Sequence, residues 1–231
     1  MGCYFCATGQ TGLIRNLTTG EMCMQVYAAG NVRNIVLMGC GEPLDNFGPV
    51  MGFIEIITHP KGANIGQRHI TLSTCGLVPE IRALAQRRMQ INLAVSLHGP
   101  DDATRQKLMP IARRYSINTL IAACREYADT TRRRITFEYA LTEGVNDSPA
   151  QARALAALLK GMLCHVNLIP VNPVAGPQEF SPTRRREAQA FAAILEQAKI
   201  PATVRRTIGA EVNAACGQLR SRNQNLRGQN P

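Results

Sequence analysis

Residues 69–98, HITLSTCGLVPEIRALAQRRMQINLAVSLH, decide the fold. Two β-branched runs, His69–Ser73 and Ile91–Ser96, flank a helical pattern over Pro79–Arg88. A strand, a covering helix and a second strand within about thirty residues make one βαβ unit, whose crossover is right-handed. The same order recurs outward. Further strands are expected at Asn34–Met38, Arg134–Ala140, Val166–Pro170 and, more weakly patterned, Ala202–Arg205. Helical stretches fall at Thr18–Ala29, Val50–Thr58, Ile117–Asp129, Ser148–Leu163 and Thr183–Ala198. Thr18 and Glu21 have capping-box spacing, and Gly30 follows as a stop. The expectation is an α/β protein with a parallel sheet; the pattern alone leaves open sheet and closed barrel equally available.

Polar residues gather just past the C-terminal ends of these strands, at Gly39–Glu42, Thr74–Gly76, Leu97-His98, Glu143–Asn146 and Asn172. That edge is where parallel α/β folds hold ligands. Two glycines around Cys40 let a ligand approach the backbone, and Glu42 can accept from an ammonium. An ordinary strand-to-loop turn explains each cluster singly; together they outline a rim. His98 reads as part of it, whereas His59, His69 and His165 read as structural.

The chain has 231 residues and a net charge of +10, with 22 Arg among its 26 basic residues. The arginines cluster: Arg87-Arg88, Arg113-Arg114, Arg132–Arg134, Arg184–Arg186, Arg205-Arg206, then Arg220, Arg222 and Arg227. Arginine's planar fork suits phosphate, so a nucleic-acid partner is the sharper reading and a solvated basic surface the blander one. Arg, Glu or Pro interrupts every hydrophobic run, which excludes a transmembrane protein. Eight cysteines in a chain of this length, with no secretion signal, fit a reducing cytoplasm with thiols free for metal or catalysis.

Cys3 and Cys6 stand in CxxC spacing, enough for two thiolates to reach one metal or one face of a cluster. The spacing is equally compatible with no site. Cys216, beside Gly217 and not far from Arg205-Arg206, could hold a lowered thiol pKa and act as a nucleophile, or could simply fill a small gap. Cys23, Cys124 and Cys164 read as buried packing residues, and Cys40 and Cys75 as packing more than ligands.

Taken in order, Cys3-Tyr4-Phe5-Cys6-Ala7-Thr8-Gly9, Arg15-Asn16-Leu17, Gly39-Cys40-Gly41-Glu42-Pro43, Leu72–Gly76, Ser96-Leu97-His98, Asn167–Pro173 and Ala214–Leu219 resemble the radical SAM RNA methyltransferases of the RlmN/Cfr family. The resemblance runs from Cys3 to about Arg222, and many short motifs in one order are more specific than any one. It implies a partial (βα)6 barrel of parallel strands over residues 1–220; the tail 221–231, without apolar periodicity, reads as disordered. It also implies a [4Fe-4S] cluster and S-adenosylmethionine (SAM). On this resemblance Cys3 and Cys6 are cluster ligands, Gly41, Glu42, Ser73, Ser96, Leu97, His98 and Asn172 contact SAM, and Cys216 carries the methyl group.

The reaction implied is methylation of adenine C2 in 23S ribosomal RNA and tRNA. C2 lies between two ring nitrogens and is no nucleophile, so the family first moves a methyl to the cysteine. It then attacks the base with a carbon radical made from that methyl, in a site closed to water. An electron donor such as flavodoxin, a monomeric state and a cytoplasmic location accompany the reading. Cfr-like methylation of C8 and a non-catalytic RNA-binding remnant are the rivals.

The family's cluster motif is CxxxCxxC, and counting back four from Cys3 places its first cysteine two residues before Met1. The expectation is therefore that Met1 is internal to a longer enzyme. Its first barrel strand, N-terminal accessory domain, second redox cysteine and proton-accepting carboxylate would lie upstream. Residues 1–231 alone would then be poorly active and would expose an unpaired sheet edge prone to aggregation.

Overall fold

The structure is a computed structural model that describes residues 1–172 and 180–205. Six strands form one parallel sheet in sequential order: β1 (Ile35–Leu37), β2 (Ile70–Thr74), β3 (Asn92–Ser96), β4 (Ile135–Leu141), β5 (Cys164–Pro170) and β6 (Ala202–Val204). Each falls within a residue or two of its sequence expectation. The main helices are α1 (Ala7–Thr11), α2 (Thr19–Ala29), α3 (Phe47–Thr58), α4 (Val78–Gln86), α5 (Asp102–Leu108), α6 (Ile117–Thr131), α7 (Pro149–Leu159) and α8 (Arg185–Gln197). Sequential order with all-parallel pairing is the layout of a barrel wall, and it settles the choice that periodicity left open.

Local chemistry accounts for the helix ends. Thr18 and Glu21 close the expected capping box at the start of α2, and Ser148 and Gln151 close a second at α7. Gly30 ends α2 at φ +77°. The expected helix over Ser148–Leu163 stops earlier, at Leu159, because Gly161 takes φ +73° and turns the chain toward β5.

The two faces of the sheet differ. On β2, Ile70, Leu72 and Thr74 are buried while Thr71 and Ser73 are half-buried. On β5, Cys164, Val166 and Leu168 are buried while His165 and Asn167 are not. The buried set joins Leu93, Val95, Ile135 and Phe137, all fully excluded from water, with α4 against α6 and α7 against α8 outside them. Each such aliphatic contributes roughly 1.5–3 kcal/mol by leaving water. The other face is polar. Register sets Ser73, Ala94, Thr136 and His165 in one row and Ser96, Glu138, Asn167 and Thr203 in the next.

β1 is an outer strand, paired only to β2 among the described residues, and Val36 on it is 64% exposed. Leu13 and Ile14 are also exposed. No helix among the described residues is long and apolar enough to cross a membrane.

Candidate active site

The N-terminal loop that carries Cys3 and Cys6 is laid against the C-terminal edge of the sheet. Cys6 N–H donates to Cys3 O at 3.1 Å, and Tyr4 N–H donates to Leu108 O at 3.0 Å, tying the loop to α5. Gly9 packs closely there: a Cβ would sit 3.0 Å from Cys3 O and 3.2 Å from Cys3 N, so any larger residue would push the loop back by a few tenths of an ångström. Cys3 and Phe5 pack on buried Cys75, Leu108 and Met109, and the Phe5 ring meets His98 edge-on at 4.7 Å. Burial first, and then the neighbouring Cys6, push the Cys3 thiol up to about 11. Cys3 is thus a protonated, half-buried thiol that would have to lose its proton to ligate a cation.

Glu42 knits the next two loops together. Its Oε1 accepts Leu44 N–H at 3.1 Å and its Oε2 accepts Cys75 N–H at 2.7 Å, so one carboxylate holds the ends of β1 and β2 in register. Burial raises its pKa, against the pull of those hydrogen bonds. Gly41 before it takes φ +148°, which L side chains rarely adopt. A cavity of about 290 Å³ opens beside this loop, between α2 and the outer edge of β1. It takes in Gly41 and Glu42 but none of Ser73, Ser96, Leu97, His98 or Asn172.

Those five residues lie along the strand ends, Ser73 and Ser96 on the polar face and Leu97 with the core set of Leu93 and Val95. Ser73 and Ser96 are half-buried on β2 and β3. Leu97 is fully buried; its N–H donates to Glu138 O at 2.9 Å and its carbonyl accepts Arg105 Nε–H at 2.9 Å. His98 is 4% exposed and takes φ +57°. Burial, with Arg105 adding repulsion, lowers its pKa to about 3, so the ring is neutral. Asn172 is half-buried just past β5, beside Val171, whose N–H donates to Leu141 O at 2.9 Å. Cys216 and the expected tail 221–231 lie outside the described residues.

Two buried polar residues, Arg105 and Glu138, escaped the sequence reading, and a third, Asn146, was read only as part of the polar rim. Arg105 is 1% exposed and its Nη1 has no partner among the described residues. Glu138 is 7% exposed; its Oε1 accepts from Asn167 and its Oε2 has no partner among the described residues. Asn146 is fully buried behind His98. Arginine and glutamate read as surface and a lone loop asparagine as a turn, so only the asparagine's place past a strand end hinted at a role. One expectation is corrected: Cys40 is exposed and does not pack into the core.

The donor set bears differently on the two cofactors that the motifs imply. A donor-rich, partly cationic molecule fits the polar face, which offers the orphaned Glu138 oxygen level with Ser96, and Glu42 at the edge. SAM, with its sulfonium, ammonium and ribose hydroxyls, has that chemistry. A four-iron cluster finds less. Cys3 and Cys6 supply two thiolates, and no group of three or more Cys, His, Asp or Glu able to hold a metal ion exists among the described residues.

Fold and rim define a class: residues 1–156 match the model of the radical SAM superfamily, and the chain belongs to it. Members of that superfamily use a [4Fe-4S] cluster and SAM. Within it, the chain is 52% identical over 225 residues to a probable dual-specificity RNA methyltransferase RlmN of Clostridium perfringens, covering 95% of this chain and 65% of the relative. A protein of the same description from Desulforamulus reducens is 55% identical over 227 residues, covering 96% and 65%. The crystal structure of a radical SAM methyltransferase from Sphaerobacter thermophilus superposes with a TM-score of 0.88 at 51% identity, covering 94% of this chain and 66% of that one. A domain of a pyruvate-formate lyase-activating enzyme from Bacteroides vulgatus shares the fold alone, at 18% identity and a TM-score of 0.54. The chain thus spans about two thirds of the length of the curated relatives that it matches.

Proposed function

We propose that this chain is the SAM-binding barrel of an RNA methyltransferase acting at C2 of adenine in 23S ribosomal RNA and tRNA. The observation that carries the reading is the joined rim at one sheet edge, where Glu42 bridges two strand ends and His98 abuts the Cys3–Cys6 loop. Relatives above 50% identity that are described as dual-specificity RNA methyltransferases support the substrate class. Gly41 admits the ligand near the backbone, and Ser73, Ser96, His98 and Asn172 supply polar atoms along its length. In this reading the Cys216 thiolate would attack the sulfonium methyl and hold it as a thioether, while neutral S-adenosylhomocysteine leaves with the electron pair of the broken carbon–sulfur bond. That step needs no prior activation of the base. No step is assigned to the cluster, whose third thiolate the described residues do not provide.

The arginines divide by topology. In a βα unit the helix begins at the ligand edge and ends at the opposite one. Arg113-Arg114, Arg184–Arg186 and Arg205 therefore lie toward the ligand edge, while Arg87-Arg88 and Arg132–Arg134 lie at the far edge. The first group is the one placed to meet RNA phosphates.

The test is product analysis. Anaerobically reconstituted enzyme of its relatives' full length, with a third cluster thiolate, is incubated with SAM and a 23S rRNA fragment, and the digested RNA is read by mass spectrometry. The reading expects 2-methyladenosine, abolished by Cys216→Ala with RNA binding unchanged. 8-Methyladenosine would select the Cfr-like reaction. RNA binding with no methylated base, under conditions that load the cluster, would favour the non-catalytic reading.

A further inference from the structure

His98 is held by a clamp. Its Nδ1 accepts the Ala140 N–H at 2.9 Å. A ring nitrogen that accepts carries no proton, so the neutral imidazole has its proton on Nε2, pointing away from Ala140. Behind it, Asn146 Nδ2 donates to His98 O at 2.8 Å and to Ala140 O at 2.7 Å. Asn146 Oδ1 accepts Thr142 N–H at 2.7 Å, and the Asn146 backbone carbonyl accepts Tyr139 Oη–H at 2.9 Å. The amide orientation is fixed, because two carbonyls face its nitrogen and one N–H faces its oxygen. A fully buried side chain thus grips both residues of the His98–Ala140 contact. It does so where His98 sits at φ +57°, a conformation costing a non-glycine residue about 1–2 kcal/mol unless its surroundings impose it.

We propose that Asn146 is a positioning residue that locks His98 as an Nε2–H donor toward an acceptor atom of the SAM ligand. The inference rests on the SAM-site reading above and extends it to a residue without ligand contact of its own. Asn146→Ala removes the amide donor from the His98 carbonyl, leaves the Ala140 carbonyl only the longer 3.5 Å bond from Thr142 Oγ1, and frees the imidazole to change rotamer and tautomer.

The experiment uses the full chain labelled with ¹⁵N-histidine, and S-adenosylhomocysteine as probe. Long-range ¹H–¹⁵N spectra of wild type should show His98 protonated at Nε2 and bare at Nδ1. In Asn146→Ala that signature should be lost, and calorimetric affinity should fall roughly tenfold, the worth of about one well-placed hydrogen bond. His98→Phe should weaken binding comparably, and the double variant should be no weaker than His98→Phe alone, since Asn146 acts through the ring.

Three results would overturn the proposal: a wild-type His98 proton on Nδ1, an Asn146→Ala protein with unchanged tautomer and affinity, or additive losses in the double variant. If Asn146→Ala does not fold, Asn146→Asp keeps the shape without the donors, and the wild-type tautomer alone still decides the clamp. Failure of wild type to bind the probe would overturn the SAM-site reading and the ligand half of this proposal. The spectra would judge the clamp separately.

Discussion

Four non-glycine residues show how one backbone conformation serves two ends of the same sheet. Arg88, Arg132 and Lys199 take φ +51°, +56° and +61° just after α4, α6 and α8, at the edge away from the site. All three are exposed, and each N–H returns to a carbonyl of the preceding turn: Ala85, Ala128 and Glu196. A left-handed residue there stops a helix, and its positive charge complements the negative helix end. His98, at φ +57°, is buried, ends no helix, and is held by Asn146 and Ala140. Strain at the far edge punctuates the chain. At the C-terminal edge it is imposed from outside, at the residue proposed to contact SAM.

Glycine at each end separates these roles most sharply. Arg132→Gly relieves the strain but loses a charge and adds chain entropy, so unfolding free energy should stay within about 1 kcal/mol of wild type. Its affinity for S-adenosylhomocysteine should not change. His98→Gly leaves the Ala140 N–H unpaired and a void in the wall, and should cost about 2–3 kcal/mol in urea melts and remove binding. Similar behaviour of the two variants would dissolve the distinction.

Acid sharpens the comparison further. His98 titrates at about 3 when folded and near 6.5 when unfolded, so between those limits the unfolded chain binds one more proton. Its contribution to stability is complete above pH 6.5 and is lost as pH falls toward 3. Relative to His98→Gln, wild type should lose about 1.2 kcal/mol between pH 6 and 5. Half-buried Glu42 and buried Glu138, with raised pKa values, act in the opposite sense but are common to both proteins. Parallel pH profiles would show that His98 is not held neutral.

The smallest effect belongs to the outer strand. Val36→Lys places a charge on the exposed face of β1 and should lower self-association in sedimentation velocity, with stability changed by less than about 0.5 kcal/mol. Unaltered association would mean that the β1 edge is not the sticky surface.

Much of this architecture was legible beforehand because strands buried on their helix-facing side leave short β-branched runs, and capping boxes leave Thr18-Glu21 spacing. The rim was legible because polar residues follow each strand. What escaped depends on tertiary context. Helix α5 has only seven residues, too few for periodicity; its signal was Asp101, which caps it by accepting Thr104 N–H at 2.7 Å. Arg105 on that helix reads as solvated yet is buried beneath Gly76 and Gly99. The arginine clusters looked like one basic signal, and only the sense of each helix assigns them to opposite edges.

The central claim is that one sheet edge forms a SAM site through Glu42 and His98. Calorimetric titration of S-adenosylhomocysteine into the purified chain tests it most directly. The account predicts saturable one-to-one binding, abolished by Glu42→Ala in protein that still melts cooperatively. A folded wild-type chain without saturable binding, or binding indifferent to Glu42→Ala, would contradict it.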